Sequence, residues 1–108
     1  MDKTDVLKVL ERHYGRLNPI TGKKIAESLE VRDTREIRQK ILELTNDGVP
    51  IASSASKPPG YFICETVAEM DEYSSFLKSY MRDIAIHRWR FLNASYLYRT
   101  GQVQGRLI

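Results

Sequence analysis

The chain has 108 residues, 42% of them hydrophobic and 29% charged, which is enough for one small domain with a single core and leaves little room for a deep catalytic cleft. The net charge of +3 is a mild lean toward polyanions. The lone Cys64 allows no intrachain disulfide, no run of about 18 apolar residues offers a membrane span, and the Met1–Asp5 start lacks the apolar core of a signal peptide, so a cytoplasmic protein is expected.

A first helix is predicted from about Thr4 to Tyr14. Val6, Leu7, Val9, Leu10, His13 and Tyr14 follow helical spacing there, against Lys3, Lys8, Glu11 and Arg12. Gly15 supplies a stop, and Arg16 to Pro19 a connection. Thr21 caps a second helix, with Ile20 and Ile25 at the positions of a hydrophobic staple. Ile25, Ala26 and Leu29 form its apolar stripe, and Val31 plugs the turn that follows. Asp33 caps a third helix, with Glu36 placed to complete a capping box. Ile37, Ile41 and Leu44 are its buried stripe, and Gly48 closes it. The opposite face carries Thr34, Arg35, Arg38 and Gln39, with Leu42 further along.

Ile51 to Ser53 and Tyr61 to Cys64 read as the strands of a hairpin. The turn formers between them, from Ser54 to Gly60, are too many for a tight turn and suit a projecting wing. Thr66 and Glu69 make a capping box for a last helix. From Val67 to about Tyr98 it holds no proline or glycine and spans about 48 Å, with Ala94-Ser95 as the place for a break. Met70, Tyr73, Leu77, Tyr80, Met81 and Ile84 recur on it at steps of three and four, and Trp89 and Phe91 extend the apolar content. Such a stripe wants a cover. A second copy of the chain is the simplest, giving a homodimer; the first helix of the same chain and a different protein are the alternatives. After Asp83 there is no acid, whereas Arg88, Arg90, Arg99 and Arg106 follow. This basic quarter is either a solvated helix end that complements the helix dipole or a contact for phosphate or an acidic partner. The division expected is 1–65, 66–99 for the long helix, and a flexible tail over 100–108.

The fold class is mainly α with a small β-hairpin (α+β): a winged helix-turn-helix followed by a long C-terminal helix. In that geometry the third helix, about 34–47, lies in a DNA major groove. Arg35 and Arg38 suit guanine acceptors, Gln39 suits adenine, and Thr34 suits a phosphate at the helix N-terminus. Lys23 and Lys24 on the second helix, Arg32 in the turn, and Lys57 in the wing, about 54–60, suit the flanking backbone. Glu27, Glu30, Glu36 and Glu43 dilute the positive field, so a salt-bridged face that docks another protein is the alternative.

Catalytic and metal chemistry find no foothold. His13, His87 and Cys64 lack metal-ligand spacing. Gly22-Lys23-Lys24 lacks the upstream glycine of a phosphate loop. Asp71-Glu72 and Asp2 with Asp5 are acids at helix starts, where the dipole favours them. No enzymatic activity and no cofactor are expected.

The stretch Leu7 to Cys64 resembles the winged-helix domains of bacterial and phage regulators. It is most similar to the type 11 helix-turn-helix modules, which include the N-terminal domain of the biotin-operon repressor. The resemblance rests on Gly22-x-x-Ile25-Ala26-x-x-Leu29, on Arg35-x-Ile37-Arg38-x-x-Ile41-x-x-Leu44, and on Gly48-Val49-x-Ile51 followed by Gly60-Tyr61-Phe62. It implies double-stranded DNA binding through the third helix, with Arg35, Arg38 and Gln39 at reading positions. The 108 residues leave no room for a ligase domain after the wing, so that repressor's enzymatic activity is not expected to carry over.

Overall fold

A computed structural model describes residues 1–101 of the chain. It contains α1 (Lys3–Leu10), α2 (Gly22–Ser28), α3 (Thr34–Asn46), the strands β1 (Ile51–Ser54) and β2 (Gly60–Ile63), and α4 (Val67–Arg99). The order is that of an α+β winged helix with a long last helix. All but the first two residues of the tail expected over 100–108 lie outside the described residues.

The helix starts follow from side-chain caps. Asp2 caps α1 by accepting from the Thr4 and Asp5 amides, and Asp5 accepts from the Asp2 amide in return. Thr21 caps α2 by accepting from the Lys24 amide. Asp33 caps α3 through the Arg35 amide, in place of the box expected with Glu36.

The helix ends are equally local. α3 closes in a Schellman motif, with Gly48 at φ 103°, its amide donating to Thr45 and the Val49 amide donating to Leu44. α2 ends the same way, the Glu30 amide donating to Glu27 and the Val31 amide to Ala26. There the left-handed position is held by Glu30, at φ 56°. Val31 is half-buried against the core, as its place in the turn suggests.

α1 is shorter than its hydrophobic pattern. It stops at Leu10, not Tyr14, and Gly15 is not its stop. The backbone of His13 to Gly15 is taken by β2 instead. The Ile63 amide donates to His13, and the Gly15 amide donates to Ile63. Further on, Ile20 and Tyr61 exchange both backbone bonds, at 2.8 and 2.7 Å. β2 is therefore bonded along both edges, since β1 pairs antiparallel on the other side. Pairing a strand edge that would otherwise hold unmatched donors and acceptors outweighs one more turn of helix.

The hairpin register sorts its residues to two faces. Ile51 and Ile63 are opposite each other and join the main core of Val6, Leu10, Ile25, Ala26, Ile37, Ile41 and Leu44. Ala52 and Phe62, also opposite each other, form a second cluster with Cys64, and Tyr73 packs on it. The Tyr73 hydroxyl lies 3.3 Å from Ser53 Oγ. One compact unit runs Met1–Tyr73. Tyr73 ties the first turns of α4 to the hairpin cluster.

Glu69 fixes how α4 begins. Its amide donates to the Thr66 hydroxyl oxygen as expected, at 3.2 Å. Its carboxylate also reaches beyond the Thr66 box. It accepts from the Glu65 amide at 2.7 Å and the Arg16 amide at 2.8 Å. These backbone donors hold the carboxyl below the usual carboxylate range. α4 then runs unbroken through Ala94 and Ser95 to Arg99. None of its residues is buried, and no described helix is long and apolar enough to cross a membrane.

Two outcomes follow from these contacts. Gly60 sits at φ 130°, where an added Cβ would stand 2.5 Å from the backbone of Ile20. Gly60→Ala is expected to lower stability by about 2–4 kcal/mol in a urea titration, because neither backbone can yield without breaking the Ile20–Tyr61 pair. The depressed Glu69 pKa contributes stability above the ordinary carboxylate value of 4.5, and that contribution is lost as pH falls through the lower folded value. Thermal melts should therefore show Glu69→Gln less stable than the parent near neutrality, with the gap narrowing in acid.

Candidate nucleic-acid interface

α3 presents two chemically distinct faces. Ile37, Ile41 and Leu44 are buried. Arg35, Arg38, Gln39 and Leu42 are exposed, and Thr34 is half-buried at the first turn. The steps of three and four between Arg35, Arg38, Gln39 and Leu42 place them along one side of the helix.

Arg35 is held by its own cap. Its Nε donates to Asp33 Oδ2 at 3.0 Å, while the other Asp33 oxygen takes the Arg35 amide at 2.8 Å. The Arg35 amide, then its guanidinium, keep the Asp33 carboxyl below the ordinary carboxylate range. Both side chains are well exposed, so water and salt compete for the pair.

Lys23 and Lys24 stand exposed in the first turn of α2, and Arg32 is exposed in the turn before α3. Tyr61 of β2 links these elements. A Cβ added at Gly22 would lie 3.4 Å from Tyr61 Cε2, so the ring rests against the start of α2. Burial raises the Tyr61 phenol pKa, and the nearby Arg38 charge pulls it back. Tyr61 is half-buried at the meeting of the α2 start, the α3 outer face and the hairpin. The sequence marked Gly60-Tyr61 as a motif without giving the ring a place in the site.

The wing is clamped from behind. Arg16 Nη1 donates to the Pro58 carbonyl at 2.8 Å, and Nη2 to the Ser56 carbonyl at 3.0 Å. Nη2 also reaches the Lys57 carbonyl at 3.5 Å. Planar guanidinium forks suit such converging acceptors. Lys57 itself is exposed on this loop. Arg16 was read only as part of a connection. Its wing partners lie 40 to 42 residues along the chain, beyond the reach of local spacing.

The residues of α4 expected at a dimer seam divide in two. Tyr73 is engaged by the hairpin cluster. Met70, Leu77, Tyr80, Met81, Ile84, Trp89 and Phe91 are all exposed. The Phe76 and Tyr80 rings stack along the helix, with centroids 6.1 Å apart.

A cleft of about 370 Å³ opens between α1 and the end of α2, floored by Val9, Ile20 and Leu29 and rimmed by Lys8 and Arg12. Among the described residues no group of three or more His, Cys, Asp or Glu side chains could hold a metal ion.

Residues 5–62 match the family model of the HTH domain, type 11. The chain belongs to this helix-turn-helix family. The match runs from the first turn of α1 into β2 and so includes the whole candidate interface except Arg16's partner Glu69. Neither the curated proteins nor the solved structures returned a match. As a helix-turn-helix protein the chain is, in general terms, a DNA-binding regulator, and domains of this family are typically non-enzymatic.

Arg16 offers a direct test of how this helix-turn-helix protein holds its wing. Arg16→Ala should speed amide exchange in the 56–60 loop and lower global stability by about 1 kcal/mol, as measured by hydrogen exchange and urea unfolding. Unchanged exchange in the loop would show that the wing does not depend on the clamp.

Proposed function

We propose that the protein binds double-stranded DNA sequence-specifically, as a small transcriptional regulator or a phage or prophage replication-control protein acting in the cytoplasm. The observation that carries this reading is the outer face of α3. Arg35, Arg38 and Gln39 are all solvent-exposed on a helix whose other face is fixed in the core. α3 enters the major groove, with Arg38 and Gln39 free to meet base edges. Arg35 exchanges Asp33 for a base or phosphate acceptor. Thr34 and the α3 N-terminus meet a phosphate, and Lys23, Lys24, Arg32 and Lys57 line the flanking backbone. A homodimer through α4, its seam drawn from the exposed apolar residues between Met70 and Phe91, supplies two such helices for a two-part site.

One observation favours a different class of function. Leu42 is 54% exposed on the same face as the arginines, and Glu27 and Glu36 are exposed nearby in sequence. An apolar residue among mixed charges suits a protein-docking surface in a larger assembly.

Salt and mutation separate the two readings. Anisotropy titrations against duplex DNA should show affinity that falls steeply from low to physiological salt. Arg38→Ala is expected to cost about 1–3 kcal/mol at a selected site and to relax sequence preference, whereas Lys24→Ala weakens all duplexes alike. Absence of duplex binding at low salt would move the function to the docking reading.

A further inference from the structure

Beyond Tyr73, α4 carries a seven-residue repeat that reaches further than the apolar stripe around Met70 to Ile84. Leu77, Ile84, Phe91 and Tyr98 recur every seventh position, and Tyr80, His87 and Ala94 stand three after the first three of them. These are the two seam positions of a coiled coil. All seven residues are exposed, and all lie on one unbroken helix. Met70 and Tyr73 continue the repeat upstream, but the Tyr73 ring is packed on Phe62, Ala52 and Cys64. The free seam therefore starts at Leu77.

The side-chain sizes along the seam choose between orientations. If two copies ran parallel, each seam residue would face itself. That stacks Phe91 on Phe91 and Tyr80 on Tyr80, and leaves a gap at Ala94 on Ala94. If two copies run antiparallel about the midpoint between Ile84 and His87, Ala94 gains a larger partner. Leu77 then meets Ala94, Tyr80 meets Phe91, and Ile84 meets His87. The layers differ less in volume than in the parallel pairing, as close packing favours. The flanking residues agree. Asp83 of one copy falls opposite Arg90 of the other, twice by symmetry, and Phe76 falls opposite Leu97.

We infer that the protein forms an antiparallel two-stranded coiled coil through Leu77 to Tyr98, with Asp83 of each copy paired to Arg90 of the other. This rests on the homodimer reading above and gives it a direction and a register. Trp89 and Tyr96 lie off this seam and are not part of it. Met81 flanks it, opposite Arg88, whose aliphatic stem can cover the thioether. In this register Tyr73 of one copy lies level with Tyr98 of the other. The two Tyr73 positions, where the winged units end, stand about 37 Å apart along the helices.

The test is a charge-swap series on the full chain, read by sedimentation equilibrium, with circular dichroism to confirm that each variant keeps its helix. Asp83→Arg and Arg90→Asp are each expected to weaken self-association about tenfold, and the double variant to restore it. Arg88→Asp should not rescue Asp83→Arg. Rescue by Arg88→Asp alone would overturn the antiparallel register in favour of a parallel one, in which Asp83 faces Arg88. No effect of Asp83→Arg, or no rescue by either partner, would overturn the coiled coil as drawn. A parent chain that stays monomeric at every concentration would overturn the homodimer itself, with the register falling as a consequence.

Discussion

β2 is four residues long, yet it is bonded on both edges, and the rest of the winged unit is arranged around that fact. One edge carries β1. The other carries the backbone of His13, Gly15 and Ile20. The chain between α1 and α2 is thereby laid against the hairpin instead of looping free. This sets where α1 must stop and where Thr21 can begin α2. Gly60 is the condition for it, since any side chain there would meet the Ile20 backbone. With Ile20 and Tyr61 locked together, the Tyr61 ring is carried to the start of α2 and within range of Arg38. A backbone constraint in the hairpin thus reaches the face that would meet DNA.

The parts of this fold that were legible in the sequence are those decided within a few residues. Thr21 and Asp33 announce α2 and α3, Gly48 announces the end of α3, and the 3.6-residue stripe of Ile37, Ile41 and Leu44 names the buried side. The hairpin strands were legible from composition, the first one residue longer than expected and the second displaced by one. What was not legible is what distant residues decide. His13 and Tyr14 continue the helical pattern of α1, but their backbone is claimed by Ile63. Thr66 and Glu69 look like a closed local box, but the carboxylate also holds the Glu65 and Arg16 amides. Tyr73 sits in register with Leu77 and Tyr80, but its ring is covered by the hairpin while theirs are not. Periodicity tells which residues share a face and says nothing of what the face meets.

The candidate interface shows the same limit in its charges. The exposed cations on α2, on α3 and in the turn could be read from their positions. Their availability could not. Lys3 is bound to Asp47 at 2.6 Å, Arg35 is shared with Asp33, and the Arg16 fork is turned inward to the wing carbonyls. The formal charge of +3 therefore overstates what the surface offers a phosphate backbone at some places and understates it at others. The local arrangement around Lys23, Lys24, Arg38 and Lys57 matters more than the sum.

The Arg16 clamp also bears on the order in which the molecule assembles. The β1–β2 hairpin and the helix caps join residues close in sequence, and such contacts form early at little entropic cost. The bonds from Arg16 to Ser56, Lys57 and Pro58 close loops of 40 to 42 residues, and that from Arg16 to Glu69 one of 53. Closures of that length gain their enthalpy only after the chain between them has been brought into place. The wing is therefore held by bonds whose loop-closure cost is met only when the core of Val6, Leu10, Ile25 and Ile37 is in place, so its order is tied to the packing of the whole winged unit.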